Sequence, residues 1–271
     1  MNTLVDLNGA ILPIEQTAFG QLAPAFAFPR GLFETVRLIE GRPVFFAAHY
    51  ERLGKSAAKL GFALTSSEAE LRERIRKLAQ ATSEQNGNVR LMLFDDDGCG
   101  VSELIVARHH PYTSAQYKLG FRLLTMIDAR GSEGEGHKKT NYEKNRVGRA
   151  KAQENGFDEA LFVSETGQLF EGAVSNLFLV KDGTLSTPRL RDEVLPGVAR
   201  RQILERSGLP VMEGILTREM LHNADEVFVT NVLLGIMPVS RVDEAVYPIE
   251  NYTVAPSLTH AFQQWQKESI S

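Results

Sequence analysis

Apolar and polar positions along this chain switch between two periods, and each switch marks an element. In "TLVDLNG" and "LFETVRLIEGRPVFF" the β-branched and aromatic residues alternate or cluster between glycines, which predicts strands. The second stretch is expected to fold back on itself at Glu40-Gly41. "HYERLGKSAAKLGF" moves to helical spacing, with Tyr50, Leu53, Ala57 and Leu60 on one stripe and Gly61 just past its end. "SSEAELRERIRKLAQAT" predicts a second helix, capped by Ser66 or Ser67 and carrying acids in its first turn. Strand patterning returns at "NVRLMLF" and "SELIVARHH". After the small polar cluster "HPYTSAQ" it resumes at "GFRLLTMI", "EALFVS", "LFEGAVSNLFLV" and "EVFVTN". Helices are expected near residues 143–155, 198–207 and 252–266. Strands and helices in mixed order, without strict alternation, predict an α+β fold. The cluster around Pro111 reads as a linker that divides it into domains 1–113 and 114–271.

Composition narrows the function classes. Among 271 residues, 43% are hydrophobic and 24% charged, the proportions of an ordinary globular protein, and no apolar run approaches the roughly 20 residues that cross a bilayer. A net charge of −4 offers no general attraction to nucleic acid or to an anionic membrane, so neither is expected as a partner. One cysteine, Cys99, allows no internal disulfide, and the N-terminus shows no basic region followed by an apolar block; a cytoplasmic location is expected. No metal is expected either. His109 and His110 are adjacent and point to opposite faces of a strand, and Asp95 to Asp97 lack the alternating ligands and closing glutamate of a calcium loop.

Chemistry enters with "GHKKTNYEKN", residues 136–145. If this segment is extended, Lys138, Thr140 and Tyr142 share one face, while Lys139 and Asn141 take the other. A lysine beside a phenol suits covalent chemistry on a carbonyl group. Spacing alone leaves a solvated loop as the ordinary alternative.

Taken with "GLFETVRLIEGRPVFFAAHYERL", "NGFDEALFVSETGQLFEGAVSNLFLVKDGTLSTP" and "VLPGVARRQILE", the lysine motif resembles the fold-type IV pyridoxal-phosphate enzymes, which include branched-chain and D-amino-acid aminotransferases and 4-amino-4-deoxychorismate lyase. The likeness extends over residues 31–239, with several motifs in the family's order. It implies a two-domain fold like that of D-amino-acid aminotransferase. Pyridoxal 5'-phosphate would lie in the interdomain cleft, with most of its site on the second domain, in an enzyme that is a homodimer acting on a small molecule.

The resemblance also implies roles, each with a chemical reason. Lys138 would bond covalently to the cofactor and later move the substrate proton. Glu171 would face the pyridine nitrogen and keep it protonated. Arg52 would offer a planar fork to the phosphate, and Tyr142 a hydroxyl to the phenolic oxygen. "LPG" at 195–197 would pack Leu195 on the ring and present the N–H groups of Val198 and Ala199 to the phosphate. Ser175-Asn176 and Asn231-Val232 would line the same pocket. Val232 stands where aminotransferases of the family often carry a hydroxyl, and "TNVLLGIMPV" is closer to the lyase pattern.

The lyase branch, which makes 4-aminobenzoate and pyruvate for folate synthesis, is therefore the leading expectation. An aminotransferase for D- or branched-chain amino acids is the alternative, and a non-catalytic binding protein of this fold the remote one. For a lyase, Thr35 or Lys138 would give a proton to the leaving group, and Arg90 and Arg30 would bind substrate carboxylate. Two departures stand out: "APAFAFPRGLFET" puts Pro29-Arg30 where the family has Gly-Asp, and "FDDDG" replaces an arginine-containing turn.

Overall fold

The computed structural model describes residues 3–17, 31–95, 100–128, 136–190 and 194–271, excluding the side chain of Asp95; Arg30, Cys99 and most of the "FDDDG" turn lie outside these residues. Two units form. The first comprises Met1–Pro111, His137–Tyr142 and Gln266–Ser271, and the second Tyr112–Gly136 and Glu143–Trp265. The lysine segment thus groups with the first unit, where a single boundary at 113/114 would have put it in the second.

In the first unit the elements are β1 (Leu4–Leu7), β2 (Ala10–Pro13), β3 (Gly31–Ile39), β4 (Arg42–Pro43), α1 (Phe46–Leu60), α2 (Glu68–Thr82), β5 (Asn88–Asp95) and β6 (Val101–Arg108). The sheet runs β2-β1-β6-β5-β3-β4. Glu40 and Gly41 both take positive φ, 51° and 72°, in the two-residue turn that joins β3 to β4. Ser67 caps α2 in a reciprocal capping box with Glu70, and Gly61 closes α1 at a φ of 74°. Alternation along the strands separates two apolar faces. Leu32, Val36, Leu38, Leu91 and Leu93 pack beneath α1 and α2 with Leu53, Ile75 and Leu78. Phe33, Met92, Phe94, Leu104 and Val106 form the opposite face together with Val5.

The second unit contains α3 (Ser114–Leu119), β7 (Phe121–Ile127), α4 (Glu143–Glu154), β8 (Glu159–Val163), β9 (Gln168–Gly172), β10 (Asn176–Lys181), β11 (Thr184–Pro188), α5 (Val198–Arg206), β12 (Val211–Gly214), β13 (Leu216–Thr217), α6 (Arg218–His222), β14 (Glu226–Asn231), β15 (Gly235–Val242), β16 (Ala245–Val246) and α7 (Val254–Glu268). The expected linker is partly helical: Thr113 and Gln116 build a capping box that starts α3. Strands β10, β14, β15, β7, β8 and β9 pair in succession, and β9 pairs again with β10, which closes a ring. The closing pair is Glu171 with Asn176. Among the described residues no helix is long and apolar enough to cross a membrane.

Candidate active site

In the first unit the lysine segment lies antiparallel beside β3. Phe33 N–H donates to the Lys138 carbonyl at 2.9 Å, and Thr140 N–H donates to the Gly31 carbonyl at the same distance. Gly31 has to be glycine for this approach, because a Cβ there would stand 2.7 Å from the Leu93 carbonyl and 2.9 Å from the Thr140 side chain. Lys138 and Tyr142 meet over one residue: the Lys138 Nζ is 4.5 Å from the Phe33 ring centre and 5.5 Å from that of Tyr142, whose ring meets Phe33 edge-on at 5.4 Å. Lys139 is exposed. The Arg90 guanidinium stacks on Phe33 at 3.9 Å. Burial, and then the charge of Arg108, pull the Arg90 pKa down to about 10, which still leaves it charged at neutral pH. Thr35 is half-buried and pairs across the strands with Arg90, so it shares that face.

Glu34, one residue along β3, points to the helix side. There it accepts from Arg52 Nε at 2.8 Å and Arg52 Nη2 at 2.5 Å, and lies 2.7 Å from His49 Nδ1. His49 and Arg52 are three apart on α1, so both reach the same carboxylate. Burial alone would raise the Glu34 pKa, but Arg52 and then His49 overcome it and bring it from 4.5 to about 2; burial lowers that of His49. The fork of Arg52 is thus engaged by a protein carboxylate.

A stability prediction follows from this cluster. Glu34 titrates lower in the folded chain than in the unfolded one, so its contribution is complete above pH 4.5 and is lost as the pH falls toward 2. The shift from 4.5 to about 2 corresponds to a contribution on the order of 3 kcal/mol. His49, also lowered, acts in the same direction below its ordinary 6.5. Urea unfolding measured across this range should show stability falling with acidity. Glu34→Gln should flatten the fall below pH 4.5 and destabilise the protein at pH 7 by about 3–5 kcal/mol, because it takes the buried carboxylate charge away from Arg52 and His49. An unchanged pH slope in the variant would contradict this assignment.

In the second unit, Glu171 Oε2 accepts from the Leu195 N–H at 3.0 Å and from Asn176 Nδ2 at 3.2 Å, and Asn176 Nδ2 also donates to the Leu195 carbonyl at 2.9 Å. This fixes a buried carboxylate beside the loop that leads into α5. Gly197 precedes that helix and no side chain caps it. A Cβ on Gly197 would fall 1.9 Å from Asn176 Oδ1, so the close passage of Asn176 requires glycine there. The first-turn N–H groups of buried Val198 and Ala199 have no intrahelical partner.

Two expected pocket residues serve the loops themselves. The Ser175 hydroxyl donates to Glu159 at 2.9 Å. Asn231 accepts from the N–H groups of Leu233 and Leu234 at 2.9 and 2.8 Å and donates to the Val174 carbonyl at 3.0 Å. Val232 is buried.

Sequence reasoning passed over Glu34, His49, Phe33 and Glu159. Glu159 is buried, with its pKa raised by that burial. The i,i+3 spacing of His49 and Arg52, and the alternation on β3, were available signals for the first three; nothing local distinguished Glu159.

Pyridoxal phosphate demands an amine for its aldehyde, an anion for its ring nitrogen and donors for its phosphate. Lys138, the doubly braced Glu171 carboxylate and the glycine-preceded start of α5 match those demands, so the residues present fit the group.

Comparison with known proteins agrees with this chemistry. A family model described as amino-transferase class IV matches residues 31–242. The aminodeoxychorismate lyase of Bacillus subtilis (strain 168) is 27% identical over 98% of this chain and 96% of its own length. A D-alanine aminotransferase of Listeria monocytogenes is 30% identical over 89% of the chain and 86% of its own length. Among solved structures, the branched-chain amino acid aminotransferase of Escherichia coli superposes with a TM-score of 0.84 at 25% identity, over 100% of this chain and 97% of that one.

Proposed function

We propose, from the premise that this chain belongs to the class IV aminotransferase family and is a pyridoxal-phosphate-dependent enzyme of fold type IV, that it is a 4-amino-4-deoxychorismate lyase. The observation that carries the choice of lyase is the loop after β14. Asn231 braces it internally and buried Val232 brings no hydroxyl to it. The match to the Bacillus subtilis lyase over nearly the whole chain supports the same reading. A cytoplasmic homodimer supplying 4-aminobenzoate for folate synthesis is part of the proposal.

In this reading the Lys138 Nζ would hold the cofactor and, when free of it, would take the proton from the substrate's amine-bearing carbon. The bound cofactor supplies an electron sink for the pair left on that carbon. Glu171 would face the ring nitrogen, and its two braces keep the carboxylate fixed. The N–H groups of Val198 and Ala199 would hold the phosphate, and Arg52 would add the positive charge of a guanidinium that Glu34 holds in place. Leu195 would pack against the ring, and Tyr142 would donate to its phenolic oxygen. Thr35 or Lys138 gives the proton to the departing enolpyruvyl group, which leaves as pyruvate while the ring becomes aromatic.

A second reading, D-amino-acid or branched-chain transamination, is favoured by the 30% identity to a D-alanine aminotransferase. The test is product identification. Purified holoprotein incubated with 4-amino-4-deoxychorismate should yield 4-aminobenzoate and pyruvate in equal amounts. It should transfer little amino group from D-alanine or L-leucine to 2-oxoglutarate. Efficient transfer without 4-aminobenzoate would replace the lyase reading with the second one.

A further inference from the structure

The face of the first sheet that carries Phe33 is apolar and cationic, with no carboxylate among its described residues. The acids of these strands point the other way: Glu34 pairs with His49 and Arg52, and Asp6 and Glu103 pair with Arg74. On the Phe33 face the register sets Arg90 opposite Val106 and Asn88 opposite Arg108, so Arg90 and Arg108 are diagonal neighbours on adjacent strands. Diagonal Cα atoms stand about 7–8 Å apart, within reach for two arginine side chains to share one anion. Arg37 lies on the same face, but it donates to the Asn86 and Gly87 carbonyls. Arg90 is half-buried and its Nε has no hydrogen bond. Arg108 is exposed. Neither pairs with a carboxylate among the described residues.

Two guanidiniums side by side repel each other, and the inner one has lost much of its water. An anion between them relieves both costs. Phe33, which Arg90 covers at 3.9 Å, also touches the Lys138 Nζ at 4.5 Å. An anion on these arginines therefore lies on the face where the lysine works, one aromatic residue away from it.

We propose that Arg108 is a substrate-binding residue, the outer member of a two-arginine clamp with Arg90 that takes a substrate carboxylate. Arg108 steers the carboxylate in from solvent, and Arg90 receives it. The proposal rests on the lyase reading only for the identity of the group that bears the carboxylate, which would be the substrate's six-membered ring.

The test is equilibrium binding of benzoate and of its neutral counterpart benzamide to the holoprotein, followed by calorimetry. Wild type should prefer benzoate. Arg108→Met should weaken benzoate about 10-fold, the low end for a charged hydrogen bond because Arg108 is exposed, and leave benzamide within about 2-fold. Arg108→Lys should restore part of the difference, and added salt should reduce it in wild type more than in Arg108→Met. The clamp is overturned if Arg108→Met shifts both ligands alike or neither, or if wild type shows no preference. Failure to form 4-aminobenzoate alongside an intact benzoate preference that Arg108→Met removes would sink the lyase reading and leave the clamp standing.

Discussion

Lys138→Ala is expected to reduce product formation by at least about 10⁴-fold, the upper range for a positioned proton-transfer group, because in the proposed function this one amine both anchors the cofactor and moves the proton. The fold should survive. Backbone hydrogen bonds from Phe33 to Lys138 and from Thr140 to Gly31 hold the segment against β3, and the side chain adds contacts to the Phe33 and Tyr142 rings. Those are worth about 0.5–2 kcal/mol. Turnover and thermal unfolding measured together should therefore separate widely. Lys139→Ala, at an exposed position, should change turnover by no more than a few-fold. A comparable loss from Lys139→Ala would mean that the lysines had been assigned the wrong way round.

Glu171→Gln should slow turnover by about 10²- to 10³-fold while the cofactor stays bound, a size typical of removing one preorganised electrostatic group. Glutamine can keep its oxygen toward the Leu195 N–H and Asn176 Nδ2, so the pairing that closes the β9–β10 seam persists. What is lost is the negative charge that the proposed function sets beside the ring nitrogen. Cofactor affinity from spectral titration and kcat from a product assay distinguish the roles. Loss of cofactor with unaltered kcat at saturation would move Glu171 from tuning to anchoring. Arg52→Ala is a poorer probe of the phosphate, since it also strands Glu34 in the core.

Local signals in the sequence were read where one residue type decides the backbone. Gly61 past the α1 stripe, Ser67 with Glu70, and Glu40-Gly41 each specify their structure within four positions. Edge pieces such as β2 (Ala10–Pro13) and β12 (Val211–Gly214) carry no such signal, because they are short and largely exposed. The same limit applies to the candidate site. The family motifs pointed to Lys138, Glu171 and the start of α5, but the pairing of residues 137–142 with β3 depends on contacts about a hundred residues apart. Arg52 shows the gap most clearly: its type suggested a phosphate fork, and only the position of Glu34 reveals how much of that fork is already in use.

The most direct measurement is chemical. Borohydride treatment of the holoprotein reduces the bond between the lysine Nζ and the cofactor's aldehyde carbon and makes the attachment permanent, and peptide mapping then finds the modified residue. The label should fall on Lys138 alone, at about one equivalent per chain. A label on Lys139 would contradict the site built around Phe33 and Tyr142, and an unlabelled protein that had bound the cofactor would contradict the covalent chemistry itself.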